Sequence, residues 1–263
     1  MKKAIKLLSL MLAVLMCVFC FAACGGEDGS DLEYVKEKGV LVVGITDFAP
    51  MDYKDDAGNW IGFDADMATA FAKSLGVKVK FVEITWSKKA SELDAKNIDC
   101  VWNGMTISEE VKAAMDVSQA YCNNAQIVVV PADKAAQYNT VEACKGLKFA
   151  VEAGSAGKAQ AEANKFTFTE FPKQANAVME VAAGTSDAAI IDSLMAGAMV
   201  GEGTGYPNLT TTVSLNSEEY GVGFRKGSDL VAEINKFFDK CLEDGSKMKT
   251  AEKYGVQKAV IEK

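Results

Sequence analysis

Two acids stand at the ends of apolar runs. Asp192 follows Ala188-Ala189-Ile190-Ile191, and Glu152 follows Phe149-Ala150-Val151. A carboxylate ending a buried strand can accept an ammonium ion in a partly dry site, through a charge-assisted contact. Asp192 can equally cap the helical pattern of residues 193–200. Two aromatics follow other apolar runs: Phe48 after residues 40–46 and Trp86 after residues 77–84. Each is either core or the wall of a pocket, where a cation over the Trp86 face would gain about 0.5 to 2 kcal/mol. A third acid, Asp47, precedes Phe48. The chain has no histidine, which removes Ser-His and Cys-His nucleophiles, imidazole bases and histidine-ligated zinc. Asp47 and Glu152 remain as candidate acids or bases, and binding alone accounts for both.

At 263 residues, 49% hydrophobic and 24% charged, the chain can build one large or two modest cores, which excludes disorder. Acidic residues outnumber basic ones 36 to 28, and Arg225 is the single arginine. The cationic face of a nucleic-acid reader is therefore missing. Lys2, Lys3 and Lys6 precede an uncharged, mostly apolar run over residues 7–23 that is short for a membrane span and reads as an export signal. Its end, Phe21-Ala22-Ala23-Cys24, followed by polar residues 25–30, resembles a bacterial lipobox, with Phe21 where leucine is usual. That resemblance implies removal of 1–23, lipidation of Cys24, a tether over 24–32 and a place on the outer face of the cytoplasmic membrane. Cys100, Cys122, Cys144 and Cys241 then remain in the mature body. Their spacing fits no metal or redox motif and selects no disulfide pairing; Cys100, in an apolar run, reads as a buried thiol.

The body alternates apolar runs with helical patterns, the signature of a mostly parallel α/β sheet. Strands are expected over 40–46, 77–84, 99–102 and 125–131, with a loop and short hairpin over 47–62. Helices are expected over 66–75, with Met67, Ala70, Phe71 and Leu75 on one face, over 88–96 and over 109–115. The pattern then restarts, with helices over 141–145, 156–164, 175–183 and 193–200 and strands over 149–152, 168–171 and 188–191. An extended stretch from 210 leads to an amphipathic helix over 229–244 carrying Leu230, Ile234, Phe237, Phe238 and Leu242. Two α/β units with a returning helix imply a discontinuous first domain.

Gly62-Phe63-Asp64-Ala65-Asp66-Met67 before a helix resembles the signature of the family 3 solute-binding proteins, the receptors of polar amino-acid ABC importers. Thr46-Asp47-Phe48-Ala49-Pro50, Trp86, the run from Trp102 to Glu110, Gly154-Ser155-Ala156-Gly157, the run from Asp187 to Asp192, and the run from Tyr220 to Gly227 follow in the same order. The resemblance spans about residues 33–260. It implies a two-lobed periplasmic-binding-protein type II fold, with two crossing strands as hinge and a ligand cleft between lobes. Lobe one would be 33–128 with 216–263, lobe two 129–215, and the crossings would fall near 127–130 and 212–215. Asp192 would take the ligand's α-ammonium, and Phe48 and Trp86 would flank its side chain. Asn103, Gly104 and Thr106, and the helix start at Ser155 and Ala156, would meet its carboxylate.

Val111 departs from this pattern, because the family carries there an arginine that grips the carboxylate. Lys112 is adjacent but turned about 100° away on a helix. With Asp47, Glu152 and Asp192 in the cleft and no clear cation, the expected ligand is a cationic amino acid or amine. The expected protein is a monomeric, lipid-anchored receptor without cofactor or metal, delivering its ligand to a membrane permease. A dehydratase-like or lyase-like enzyme on the same fold, and a ligand-sensing surface lipoprotein, are the other readings.

Overall fold

The computed structural model describes residues 29–262, so the signal expected over 1–23 and Cys24 lie outside the described residues. Helix α1 (Asp31–Lys38) leads into β1 (Val40–Ile45), the hairpin β2 (Tyr53–Lys54) and β3 (Trp60–Ile61), α2 (Phe63–Ser74) and β4 (Lys78–Glu83). A 3-10 turn (Trp86–Lys88) precedes α3 (Lys89–Asp94), β5 (Cys100–Thr106), α4 (Glu109–Ala114), β6 (Asp116–Val117) and β7 (Cys122–Asn124). The chain then forms β8 (Gln126–Pro131), β9 (Lys148–Glu152), α5 (Ala156–Ala163), β10 (Thr167–Phe171), α6 (Gln174–Ala183), β11 (Ala188–Asp192), α7 (Ser193–Met199) and β12 (Leu209–Ser214). It returns through β13 (Glu218–Phe224), α8 (Leu230–Glu243) and α9 (Ser246–Lys253).

Apart from the β2-β3 hairpin, these strands make two open sheets, one in each lobe. The first has the order β4-β1-β5-β13-β6, with β7 also on β13; the second has the order β10-β9-β11-β8-β12. The parallel pairing expected from the alternation holds for β4-β1-β5 and β10-β9-β11. Strands β8 and β13 instead run antiparallel to β11 and β5. By these two strands the chain enters one lobe from the other, so they run against the direction that the βαβ units lay down. Strand β8 belongs wholly to the second sheet, and its Val128, Val129 and Val130 are fully buried between neighbouring strands and helices. The first crossing therefore falls at residue 125 rather than within 127–130, and the return at residues 215–217.

Other differences have local causes. Helix α2 starts at Phe63, three residues before the expected start, because the chain turns at Gly62 (φ +130°), where a Cβ would lie 2.1 Å from the Met51 carbonyl oxygen. Its buried face is Phe63, Met67, Ala68, Phe71 and Ala72, whereas Ala70 is exposed. In α8, Cys241 takes the buried place expected of Leu242. Residues 141–145 form turns rather than a helix. The four cysteines 100, 122, 144 and 241 are buried and unpaired.

The expected tether ends early, because α1 begins at Asp31, capped by the Ser30 hydroxyl, which accepts the Glu33 N–H at 2.9 Å. Arg225 explains why this helix docks. Its guanidinium donates to both oxygens of Asp31 at 2.8 to 3.1 Å and to the carbonyls of Ile98 and Leu93, all within buried surroundings. Asp99, buried beside it, is paired with Lys38 at 2.6 Å. The chain's single arginine thus ties α1 to lobe one and lies away from the cleft. Removing one partner of a buried pair costs about 3 to 5 kcal/mol. Arg225→Met is expected to lose stability on that scale in urea unfolding, and an unchanged midpoint would contradict this role.

Candidate functional site

A cavity of about 450 Å³ lies between the two sheets. The lobes meet around it. Lys173 pairs with Glu83 at 2.5 Å, and the Lys89 ammonium donates to the Gly154 carbonyl at 3.1 Å. Gly154 (φ +72°) sits so close to lobe one that a Cβ there would be 2.8 Å from the Ser87 Cα. Glycine is required by both the backbone angle and the contact.

Asp192, 4% exposed at the end of β11, faces this cavity. Asn124 Nδ2 (2.5 Å), Gln126 Nε2 (2.9 Å) and the Tyr220 hydroxyl (2.6 Å) donate to its Oδ1, and Gln174 Nε2 donates to its Oδ2. It stands at the N-cap position of α7, yet its side chain makes no capping bond. Every direct partner is neutral. Burial, then the charge of Glu218, push its pKa up to about 7 against these donors.

Glu218 shares that shell. Its Oε1 accepts from the same Asn124 and Gln126 amides at 2.7 and 2.8 Å and from the Thr106 hydroxyl at 2.9 Å; Asn216 donates to Oε2 at 2.7 Å. Two carboxylates are thus bridged by two amide groups. Glu152, 3% exposed at the end of β9, lines the same cavity. Burial and Asp192 raise its pKa to about 8, opposed in part by Lys89, the Gln174 amide and Lys173.

The expected residues divide on inspection. Phe48, Trp86, Asn103, Gly104, Thr106, Val111, Glu152, Ser155, Ala156 and Asp192 all line the cavity. Asp47 does not: it is exposed between Thr46 and Phe48, whose side chains take the inner face of an extended segment, so alternation turns Asp47 outward. Val111, 9% exposed, packs with Trp86 and Met115, while Lys112 pairs with Glu109 on the outer face of α4. The donors foreseen for a carboxylate on lobe one are already engaged, whereas the first N–H groups of α5 have no partner within the helix. Gly104 N–H goes to Asp64 at 2.7 Å, Asn103 Nδ2 to Asp52 at 2.7 Å and to the Thr46 carbonyl at 3.0 Å, and the Thr106 hydroxyl to Glu218. Ser155 caps α5 by accepting the Lys158 N–H.

The expectation of a cleft without a cation is corrected by Lys89. Its stem runs along the cavity wall and its ammonium lies 4.7 Å from the Trp86 ring centre; burial lowers its pKa, opposed by Glu110 and Glu152. Lys89 was hidden in Trp86-Ser87-Lys88-Lys89, where a solvated pair of lysines is the ordinary reading. Glu218 and Asn124 were hidden in polar stretches with no periodicity to orient them, Gln126 stood as one polar residue within the apolar run 125–131, and Gln174 lay just before the helix expected over 175–183. Asp64 and Asp52, whose carboxyls burial pushes up, act behind the wall, holding the strand that carries Asn103 and Gly104.

A two-lobed α/β fold closing over a cavity lined by charged and aromatic groups is that of a ligand-binding receptor. The model of the bacterial extracellular solute-binding proteins, family 3, matches residues 41–257, and the chain belongs to this family. The L-cystine-binding protein TcyJ of Escherichia coli (strain K12) is 29% identical over 230 residues, 85% of each chain. The arginine-binding extracellular protein ArtP of Bacillus subtilis (strain 168) is 28% identical over 253 residues, 93% of this chain and 96% of its own. A mutant of ArgBP from T. maritima superposes with a TM-score of 0.79 at 31% identity, over 86% of this chain and 99% of that one. One enzyme, the cyclohexadienyl dehydratase of Pseudomonas aeruginosa, is similar over a shorter stretch, 27% over 172 residues and 64% of each chain.

The Gly154 contact yields a direct test of closure. Gly154→Ala is expected to hold the lobes apart, giving a larger radius of gyration by X-ray scattering with ligand present and at least about tenfold weaker binding, since closure energy is spent against the clash. A variant that closes and binds as the parent does would contradict it.

Proposed function

We propose that this chain is the substrate-binding component of an ABC importer, capturing a small cationic amino acid or amine between its lobes and delivering it to a membrane permease. The observation that carries this reading is Asp192: a buried carboxylate facing an interlobe cavity and held only by neutral donors. An ammonium ion supplies the charge that this carboxylate lacks, and it binds better as the lobes exclude water. Glu152, Glu218 and Glu110 extend the same field against Lys89 alone, so cations are favoured over anions. The kinship with amino-acid-binding proteins supports the importer role. The lipobox resemblance supports export, with a lipid on Cys24 holding the monomer at the outer face of the membrane, and the lobes, 33–124 with 218–263 and 126–214, move about the crossings described above.

A second reading is favoured by one observation, the raised Glu152 carboxyl, which suits a general acid in a dry cavity. It pairs with the dehydratase relative. Asp47, the other acid considered for such a role, is outside the cavity; the titratable groups that line it with Glu152 are Lys89, Glu110, Asp192 and Glu218.

Asp192→Asn keeps the shape and removes the charge. It is expected to weaken every bound ligand by about 1.5 to 3 kcal/mol, roughly ten- to a hundred-fold, in calorimetry against amino acids and amines. Ligand recovered unaltered after incubation supports binding over catalysis. Indifference of all ligands to Asp192→Asn would show that the ammonium is held elsewhere.

A further inference from the structure

Five donors that line the cavity share one feature. Asn103 donates to Asp52, Gly104 N–H to Asp64, Thr106 and Asn216 to Glu218, and Gln174 to Asp192. In each case the acceptor is a carboxylate of the protein itself. A ligand carboxylate entering this space finds these five donors taken, and finds Glu218 and Asp192 as like-charged neighbours. The wall nearest Trp86 is closed by Val111, an apolar side chain whose N–H is donated to the Ser108 hydroxyl. Serine hydroxyls, the Gln160 amide, the N–H groups that open α5 and Lys89 remain. The Lys89 ammonium is itself drawn in: it donates to Gly154 across the cleft, lies over Trp86 and faces Glu110 and Glu152. The cavity therefore already accommodates one alkylammonium group.

Resting on the importer reading above, we propose that the ligand is a carboxylate-free amine, an aliphatic diamine or guanidinoamine whose cationic groups face Asp192 and Glu152, rather than an α-amino acid. One end meets the amide-bridged pair Asp192 and Glu218, and the other meets Glu152. The methylene chain lies against Phe48, Trp86 and Val111. An α-carboxylate adds a charge that this field repels and that no lining group other than Lys89 can pair.

Two matched pairs decide the question: L-lysine against pentane-1,5-diamine and L-arginine against agmatine, each pair differing only in the carboxylate. Calorimetry on the purified full-length protein is expected to give at least tenfold tighter binding of the decarboxylated member in each pair. Val111→Arg is expected to reverse the order, by adding a bidentate carboxylate donor. Lys89→Met is expected to leave diamine binding equal or stronger, since a like charge is removed. If lysine or arginine binds as tightly as its amine or tighter, the proposal is overturned while the importer reading stands. The same holds if Lys89→Met selectively abolishes amino-acid binding of that kind, for Lys89 would then be the carboxylate's partner. If no amine and no amino acid binds, both readings fall.

Discussion

The structure turns on a carboxylate that is buried without a cation. Asp192 is wrapped by three amides and a phenol, which satisfy its lone pairs and leave its charge uncompensated. All of these groups except Gln174, which opens α6, come from the crossings. Asn124 ends β7, Gln126 begins β8, and Glu218 and Tyr220 open β13. The segments between which the lobes bend are thus the segments that hold the charge. A cation placed against Asp192 and Glu218 acts on groups fixed to both crossings, so charge recognition and lobe closure share one set of atoms.

The fold treats its buried acids in two ways. Where α1 docks on lobe one, each buried acid receives a cation: Asp31 has Arg225 and Asp99 has Lys38. Facing the cavity, Asp192, Glu218 and Glu152 receive neutral donors and one distant lysine, and the first and last are pushed up to about 7 and 8. A carboxyl raised by burial favours the folded state while protonated. The ligand-free protein therefore loses stability as pH rises from the ordinary carboxylate range through 7 and 8, and a bound cation restores it.

Much of this was legible in the chain. Continuous apolar runs marked β1, β5 and β8 because both faces of each strand are covered, and Asp192 and Glu152 were found because each ends such a run. Val111 stood out as an apolar residue at a position where an arginine was expected. The misses share a cause. Asp47 was placed in the cleft because side-chain direction alternates, and one residue's shift changes the face. Lys89 and Glu218 were passed over because a polar residue in a polar stretch carries no directional signal, and only the meeting of two lobes turns it inward. Helices α1 and α9 are short and charged, with Arg225 and the body of lobe one, rather than a long apolar stripe, holding them in place.

Asp192 and Glu152 are protonatable near neutrality until a cation arrives. Their carboxyl carbon shifts, followed by nuclear magnetic resonance from pH 4 to 9, measure this directly. The account requires midpoints near 7 and 8 in the free protein. It also requires both to fall toward the ordinary carboxylate range when the tighter of lysine and pentane-1,5-diamine is bound, because the ligand's charge favours the ionised form and releases the protons. Midpoints near about 4 in the free protein, unmoved by saturating ligand, would contradict it.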